Sequence, residues 1–340
     1  MKALLLAGGK GTRLYPLTHS IPKPMVPVLN KPLLQRTIEY IRGYGIDEIV
    51  MSLCYQPEQI MEYFGDGSRF GVKIYYCIEE SPLGTGGAIK NAEKYLDDTF
   101  LIFNSDIITD IDLQKLIDYH RNKGASVTIA LTRVANPSAY GLVDTDADGW
   151  ITAFKEKPKP EDITTDFINA GIYVFERNVL DFIKPGCEVS VEKEVYPGLL
   201  SSGIRMSAYK NDNYWIDIGT PHKYLELHQN VLDGAFSYPF MEAEYKNSIV
   251  IGGDTYVSPT AKLIPPITIG DGCHIAGDVI IGPHAVIGNG IDIDRGSYIK
   301  NSVIWEGCRI GRRTKLSNTI VGINCTIGDY KNVSYGVIAN

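Results

Sequence analysis

The chain has 340 residues, 44% of them hydrophobic and 21% charged, with a formal net charge of −7. That length favours two domains over one, and that composition can bury a real core. The acidic balance gives no support for non-specific nucleic-acid binding, and no apolar run approaches the ~18 residues that span a bilayer. Six scattered cysteines without a Cys-x-x-Cys pair argue for reduced cytosolic thiols and against a zinc site. The first residues enter a strand directly, leaving no room for a signal peptide, so a cytoplasmic location is expected.

The opening apolar run, Ala3 to Ala7, reads as a buried parallel strand. It stops at Gly8 and Gly9, where the missing Cβ lets backbone N–H groups approach a ligand closely. Lys10 and Arg13 add two cations to the same loop. Exposed amides with cations suit a triphosphate. From Met1 to Ile38 there is no Asp or Glu, yet Lys2, Lys10, Arg13, Lys23, Lys31 and Arg36 are present. A field of one sign at the end of a strand attracts a small anion. The loop matches neither the Gly-x-Gly-x-x-Gly nor the Walker pattern, so it is a different phosphate loop.

Strand-like and helix-like stretches then alternate to about residue 235, which predicts a mostly parallel, Rossmann-like α/β sheet covered by helices. Helices are expected over residues 32–43 and 57–64, and strands over 48–54 and 72–78. A second glycine-rich loop, 79–88, contains Glu79, Glu80, Gly84 and Thr85 and opens a helix over 88–95. The apolar strand 100–103 ends at Asn104-Ser105-Asp106. A carboxylate at such a tip is well placed for Mg²⁺; the alternative is an Asp that caps the following turn. A helix over 113–120 and a strand over 126–134 follow. A hairpin turning at Asp146-Ala147-Asp148-Gly149 delivers Lys155-Glu156-Lys157-Pro158. The strand 167–175 is interrupted by Gly171, and glycine inside a strand often marks close approach of a ligand. Asp217 stands at a strand end before a helix over 224–232. With Asp106 it makes a pair of carboxylates able to share one Mg²⁺.

From Ile251 the period changes. Aliphatics fall at 251, 257, 263, 269, 275, 281, 287, 293 and 299, resume at 304, 310 and 316, and again at 321, 327 and 333. This hexapeptide repeat, with two one-residue deletions, is the sign of a parallel β-helix of roughly five coils. Its open ends need capping or a partner subunit. The expected division is an α/β domain over 1–235, a linker over 236–250 and a parallel β-helix over 251–340, left-handed in the form that the repeat resembles.

The run Gly8-Gly9-Lys10-Gly11-Thr12-Arg13-Leu14, followed by Pro16-Leu17-Thr18 and Pro22-Lys23-Pro24-Met25, resembles the signature of sugar-1-phosphate nucleotidylyltransferases. The resemblance extends to about residue 235, through the second glycine loop, the Glu156-Lys157-Pro158 element and Trp215-Ile216-Asp217-Ile218-Gly219, and the hexapeptide repeats suit the same family. It implies a nucleotide site made of Leu6, Ala7, Gly8, Gly9, Gly11, Thr12, Arg13 and Lys23, with the base and ribose on Glu79, Glu80, Gly84 and Thr85. It implies a sugar pocket of Gly141, Glu156, Lys157, Asn169 and Gly171, in which Glu156 accepts sugar hydroxyls and Lys157 meets the sugar phosphate. The family usually carries Gly before the metal-binding acid; here Ser105 precedes Asp106.

The implied reaction is attack of a hexose 1-phosphate on the α-phosphorus of a nucleoside triphosphate, served by Arg13, Lys23, Lys157, Asp106, Asp217 and Mg²⁺. An acceptor-only carboxylate at Glu79 or Glu80 suits guanine, whose Watson–Crick edge offers N–H groups, and repels the carbonyls of uracil and thymine. Mannose 1-phosphate with GTP is therefore expected, with glucose 1-phosphate and UTP or dTTP as the alternative. Other classes are a non-catalytic regulatory paralogue, opposed by the presence of all five charged residues, and a β-helix acyltransferase using His274 or His284. The expected partners are these two substrates and further copies of the chain, joined through the β-helix, with no nucleic acid and no membrane.

Overall fold

The N-terminal apolar run forms a central strand because neighbours cover it on both edges. In chain order the elements of the first 235 residues are β1 (Lys2–Leu6), β2 (Pro27–Val28), β3 (Lys31–Pro32), α1 (Leu33–Gly43), β4 (Glu48–Leu53), α2 (Pro57–Phe64), β5 (Lys73–Ile78), α3 (Gly84–Asn91), β6 (Thr99–Asn104), β7 (Ile107–Thr109), α4 (Leu113–Lys123), β8 (Val127–Arg133), β9 (Gly141–Thr145), β10 (Ile151–Glu156), β11 (Phe167–Glu176), α5 (Tyr196–Ser201), β12 (Met206–Lys210), β13 (Trp215–Asp217) and α6 (Pro221–Asp233). The computed structural model describes residues 1–235 and 245–340; positions 236–244 of the expected linker lie outside the described residues. By packing, the chain falls into two units, Met1–Gly9 with Thr37–Trp215 and Lys10–Arg36 with Ile216–Asn340.

The first unit is built on a nine-stranded sheet ordered β10-β9-β11-β6-β1-β4-β5, with β8 and β12 beyond β11. β1 runs parallel to β4 and β6, and β4 to β5. Ala3, Leu4 and Leu5 are fully buried between them. Beyond this parallel core the sheet is mixed: β11 is antiparallel to β6 and β8, and β9 and β10 form the expected hairpin. The turn of that hairpin is held by the Asp146 carboxylate, which accepts from the amides of Asp148 and Trp150 at 3.0 and 2.8 Å. Helix α3 begins at Gly84, four residues before the sequence pattern places it. A Cβ on Gly84 would lie 2.6 Å from the Val189 carbonyl oxygen, and one on Gly87 would lie 2.5 Å from that of Cys187. The glycines thus let the first turn pack directly on that backbone.

In the second unit, residues 249–340 wind into a parallel β-helix with three sheets of six, five and five short strands. Through the middle coils the predicted aliphatics point inward, whereas Ile251 in the first coil is exposed and Val257, Leu263 and Val333 near the ends are half-buried. Ile269, Ile275, Ile281, Ile287, Ile293, Ile299, Ile304, Ile310, Leu316 and Val321 are all buried. The two deletions fall at one corner, where the coil shortens from 18 residues (Ile267 to Ala285) to 17 (Ala285 to Ser302). Asn301 and Asn318, both in the left-handed region, turn the chain there. Ile287 still stacks on Ile304 and Ile299 on Leu316, so the core ladder is preserved.

The basic segment 10–36 of this unit is tied to α6 and to the coils by buried polar contacts. The Tyr224 hydroxyl donates to the Pro27 carbonyl and accepts from the Trp305 indole at 3.0 Å. Asn30 donates to the Ile287 carbonyl at 2.9 Å. The His228 ring receives the Leu29 amide on Nε2 at 3.3 Å and meets the Tyr224 carbonyl through Nδ1 at 2.8 Å. Burial pushes the pKa of His228 down to about 4. Its ordinary value is ~6.5, so below that pH the unfolded chain takes up a proton that the folded chain refuses until about pH 4. This linkage is expected to remove about 2 kcal/mol of stability between pH 7 and pH 5. Denaturant unfolding of the wild type and of His228→Gln at both pH values checks this. A variant that loses as much stability on acidification as the wild type shows that the proton goes elsewhere.

No helix among the described residues is long and apolar enough to cross a membrane.

Candidate active site

The residues singled out by sequence divide between the two units. In the first, the parallel strands β6, β1, β4 and β5 all end on one edge, where α/β sheets bind their ligands. β1 delivers Leu6, Ala7, Gly8 and Gly9 to that edge, and the Ala7 amide is fixed to the Ser52 carbonyl at 2.9 Å. A Cβ on Gly8 would sit 3.1 Å from the Cβ of Cys54 and 3.3 Å from Glu79 Oε1, whereas one on Gly9 would meet nothing within 4 Å. Gly8 therefore permits close packing and Gly9 presents open backbone. β6 delivers Asp106 to the same edge. Ser105, at the position where glycine is usual, locks that turn: its hydroxyl donates to the Leu6 carbonyl at 2.8 Å and its amide to the same oxygen at 3.2 Å.

β5 delivers Glu79, which is buried. Its Oε1 accepts from the Ser52 hydroxyl at 2.8 Å and its Oε2 from the Leu83 amide at 3.0 Å. Each carboxylate oxygen keeps a further lone pair for a ligand. Glu80 is exposed. Thr85 is clamped between the Val191 amide, which donates to its hydroxyl at 2.9 Å, and Glu192 Oε2, which accepts from it at 2.8 Å.

Among the residues expected to meet a sugar, Gly141 pairs with Glu156 across the hairpin, and a Cβ on Gly141 would come within 2.9 Å of the Glu156 carboxylate. Burial raises the pKa of Glu156, and the like charge of Glu192 adds to the effect. Lys157 has φ +48°, donates its amide to the Tyr140 carbonyl at 3.0 Å and leaves its ammonium largely exposed, 3.8 Å from Glu156. Gly171 sits with φ +73° in the irregular part of β11, and its amide donates to Asn169 Oδ1 at 2.9 Å. A Cβ there would lie 2.3 Å from Ile107 Cδ1 and 2.7 Å from Asn104 Nδ2, so packing alone already requires the glycine.

In the second unit, Gly11 adopts φ +65° and caps the turn Thr12–Leu14, and its carbonyl accepts from the Thr18 hydroxyl at 2.9 Å. A Cβ on Gly11 would fall 2.8 Å from the Cβ of Lys23, so this glycine brings Lys23 against the loop. Arg13 is exposed. Asp217 ends β13, is nearly buried, and accepts from the ammonium of Lys223 on the first turn of α6. Gly219 fits between these groups: a Cβ there would lie 2.8 Å from Asp217 Oδ2 and 3.1 Å from the Arg13 guanidinium. Sequence reasoning missed Lys223, Ser52 and Glu192, and quoted Gly219 within the Trp215–Gly219 match without giving it a role. Of these only Gly219 carried a signal, as a glycine two residues beyond a strand-end aspartate.

The candidate acyl-transfer histidines are otherwise engaged. His284 pairs with Asp233 at 2.7 Å, and His274 stacks on Tyr256 with ring centroids 5.2 Å apart.

A mixed α/β sheet with a parallel core and a glycine-lined, cation-bearing first loop, joined in sequence to a hexapeptide β-helix, defines the class as a nucleotide-handling transferase. Residues 2–234 match the nucleotidyl transferase family, and residues 263–340 match the GMPPB C-terminal domain family. The chain belongs to the nucleotidyl transferase family. It is 43% identical to the mannose-1-phosphate guanylyltransferase of Mycobacterium tuberculosis over 88% of this chain and 82% of that one. It is 36% identical to the UTP–glucose-1-phosphate uridylyltransferase of Synechocystis over 90% of this chain and 83% of that protein. Among solved structures, HddC from Yersinia pseudotuberculosis complexed with GMP-PN superposes with a TM-score of 0.59 at 32% identity, covering 68% of this chain and 99% of that one.

Proposed function

We propose that this protein transfers a guanylyl group from GTP to mannose 1-phosphate, giving GDP-mannose and pyrophosphate. The observation that carries this reading is the match along most of the chain to guanylyltransferases from M. tuberculosis and Arabidopsis thaliana, at 43% and 36% identity. The firmly held Glu79 carboxylate at the strand edge supports a guanine base.

A phosphate oxygen of the sugar 1-phosphate attacks the α-phosphorus, and the bond to the pyrophosphate oxygen breaks. The nucleophile needs no general base, since a phosphate monoester has a second pKa of about 6 and is mostly dianionic at neutral pH. What the chain supplies is alignment and charge. The open amides from Gly8 to Gly11 and Arg13 take the β and γ phosphates. Lys23 steadies the α-phosphate side and Lys157 receives the incoming phosphate. Glu156, Asn169, Gly141 and Gly171 line the hexose.

Nucleotidyltransferases of this family use divalent metal ions. Among the described residues no group of three or more His, Cys, Asp or Glu side chains could hold a metal by itself. Two carboxylates suit Mg²⁺, which is commonly held by one or two of them together with substrate phosphates. Asp106 and Asp217 would hold it, and it would neutralise charge on the phosphate oxygens. The phosphorylated substrates and six free cysteines suit a cytoplasmic enzyme. The β-helix, with Tyr330 and Tyr335 exposed near its C-terminal end, suits assembly into homo-oligomers.

The Synechocystis relative supports a second reading, uridylyl transfer to glucose 1-phosphate. Pyrophosphate release measured across GTP, ATP, UTP, dTTP and CTP against four hexose 1-phosphates decides between them. The expected maximum is GTP with mannose 1-phosphate; a maximum at a pyrimidine nucleotide overturns the guanine assignment.

A further inference from the structure

We infer that Lys223 is a resident counter-ion of Asp217, a built-in cation that the divalent metal must displace. The inference rests on the reading of Asp217 as a metal ligand. The Lys223 ammonium contacts Asp217 Oδ1, and the pair is well shielded, with side chains 29% and 11% exposed. Its backbone is fixed, because the Lys223 amide donates to the Thr220 hydroxyl that caps α6. The other carboxylate oxygen, Oδ2, faces the small space left by Gly219, beside the Arg13 guanidinium.

A carboxylate removed from water needs a counter-charge. Here the first turn of α6 supplies one, so the Asp217 carboxylate is charge-paired and aimed before any metal arrives. The same ammonium then competes with a dication for Oδ1. Two like charges within a few ångströms in a partly dry setting repel one another. The design exchanges metal affinity for a preset ligand, and a displaced lysine on a flexible stem is free to follow the phosphates.

The test is a titration of Mn²⁺, a hard divalent probe, into the nucleotide-free full chain, with free ion read by its EPR signal. Lys223→Gln is expected to bind Mn²⁺ about tenfold more tightly than the wild type, and Lys223→Arg, which keeps the charge, to bind like the wild type. Equal or weaker binding by Lys223→Gln overturns the proposal. A purely structural lysine would lower the unfolding midpoint in Lys223→Gln without tightening the metal. Asp217→Asn is measured alongside. If it weakens Mn²⁺ while Lys223→Gln does not tighten it, Lys223 alone is misassigned. If Asp217→Asn leaves Mn²⁺ binding unchanged, the metal role of Asp217 falls and the proposal falls with it.

Discussion

Asp217→Asn is expected to lower turnover by about 10³-fold while leaving the fold intact. The substitution keeps the size of the side chain and one carbonyl oxygen for Lys223, but removes the negative charge. In the proposed reaction a divalent metal held by Asp217 would depend on that charge, and would supply neutralisation of the phosphate oxygens. The strand end that carries Asp217 is held independently, by the buried Ile216 and Ile218 on either side of it. Steady-state pyrophosphate release at saturating substrates and Mg²⁺ gives the turnover, and the unfolding midpoint gives the stability. Turnover within tenfold of the wild type would remove Asp217 from the metal site.

Arg13→Ala is expected to lower kcat/KM for the nucleotide by about 10²- to 10³-fold with the unfolding free energy changed by no more than about 0.5 kcal/mol. Arg13 is exposed, so truncation opens no cavity. Its guanidinium lies beside the space left by Gly219, and a planar fork there can bind two phosphate oxygens at once. Arg13→Lys keeps the charge but loses the fork, so it is expected to recover only part of the loss. Kinetics with GTP varied at fixed mannose 1-phosphate separate the cases. Full recovery by lysine would show that only charge is needed, and an unchanged Arg13→Ala would place the triphosphate elsewhere.

Much of the active edge could be read from residue order, because each piece is a local event. Gly8 and Gly9 end an apolar run, and Asp106 ends another. Strand ends of a parallel sheet share one edge, so both reach the same side of the first unit. The glycines were harder to read, since a missing Cβ serves a ligand or a neighbour equally well. Gly84, Gly87 and Gly171 lie against Val189, Cys187, Ile107 and Asn104, and nothing near them in sequence announces those neighbours. Glu79 was marked as a base reader from its charge, but its grip by Ser52 and Leu83 depends on how β4 and β5 align.

The sequence by itself determined the alternation of strands and helices, the glycine-lined, cation-bearing first loop, and the inward ladder of the β-helix, including the persistence of that ladder across two deletions. These are short-period patterns, and the backbone's own geometry turns them into faces. Only the tertiary structure decided that segment 10–36 packs with α6 and the coils through Tyr224, His228, Asn30 and Trp305, and that Lys223 rests on Asp217. Most of the contacts that anchor segment 10–36 join residues far apart in the chain, and a single side chain meeting a distant carbonyl leaves no period behind. Lys223 is close to Asp217 in sequence, but the strand-to-helix turn between them had to be folded before the ammonium could be seen to meet the carboxylate.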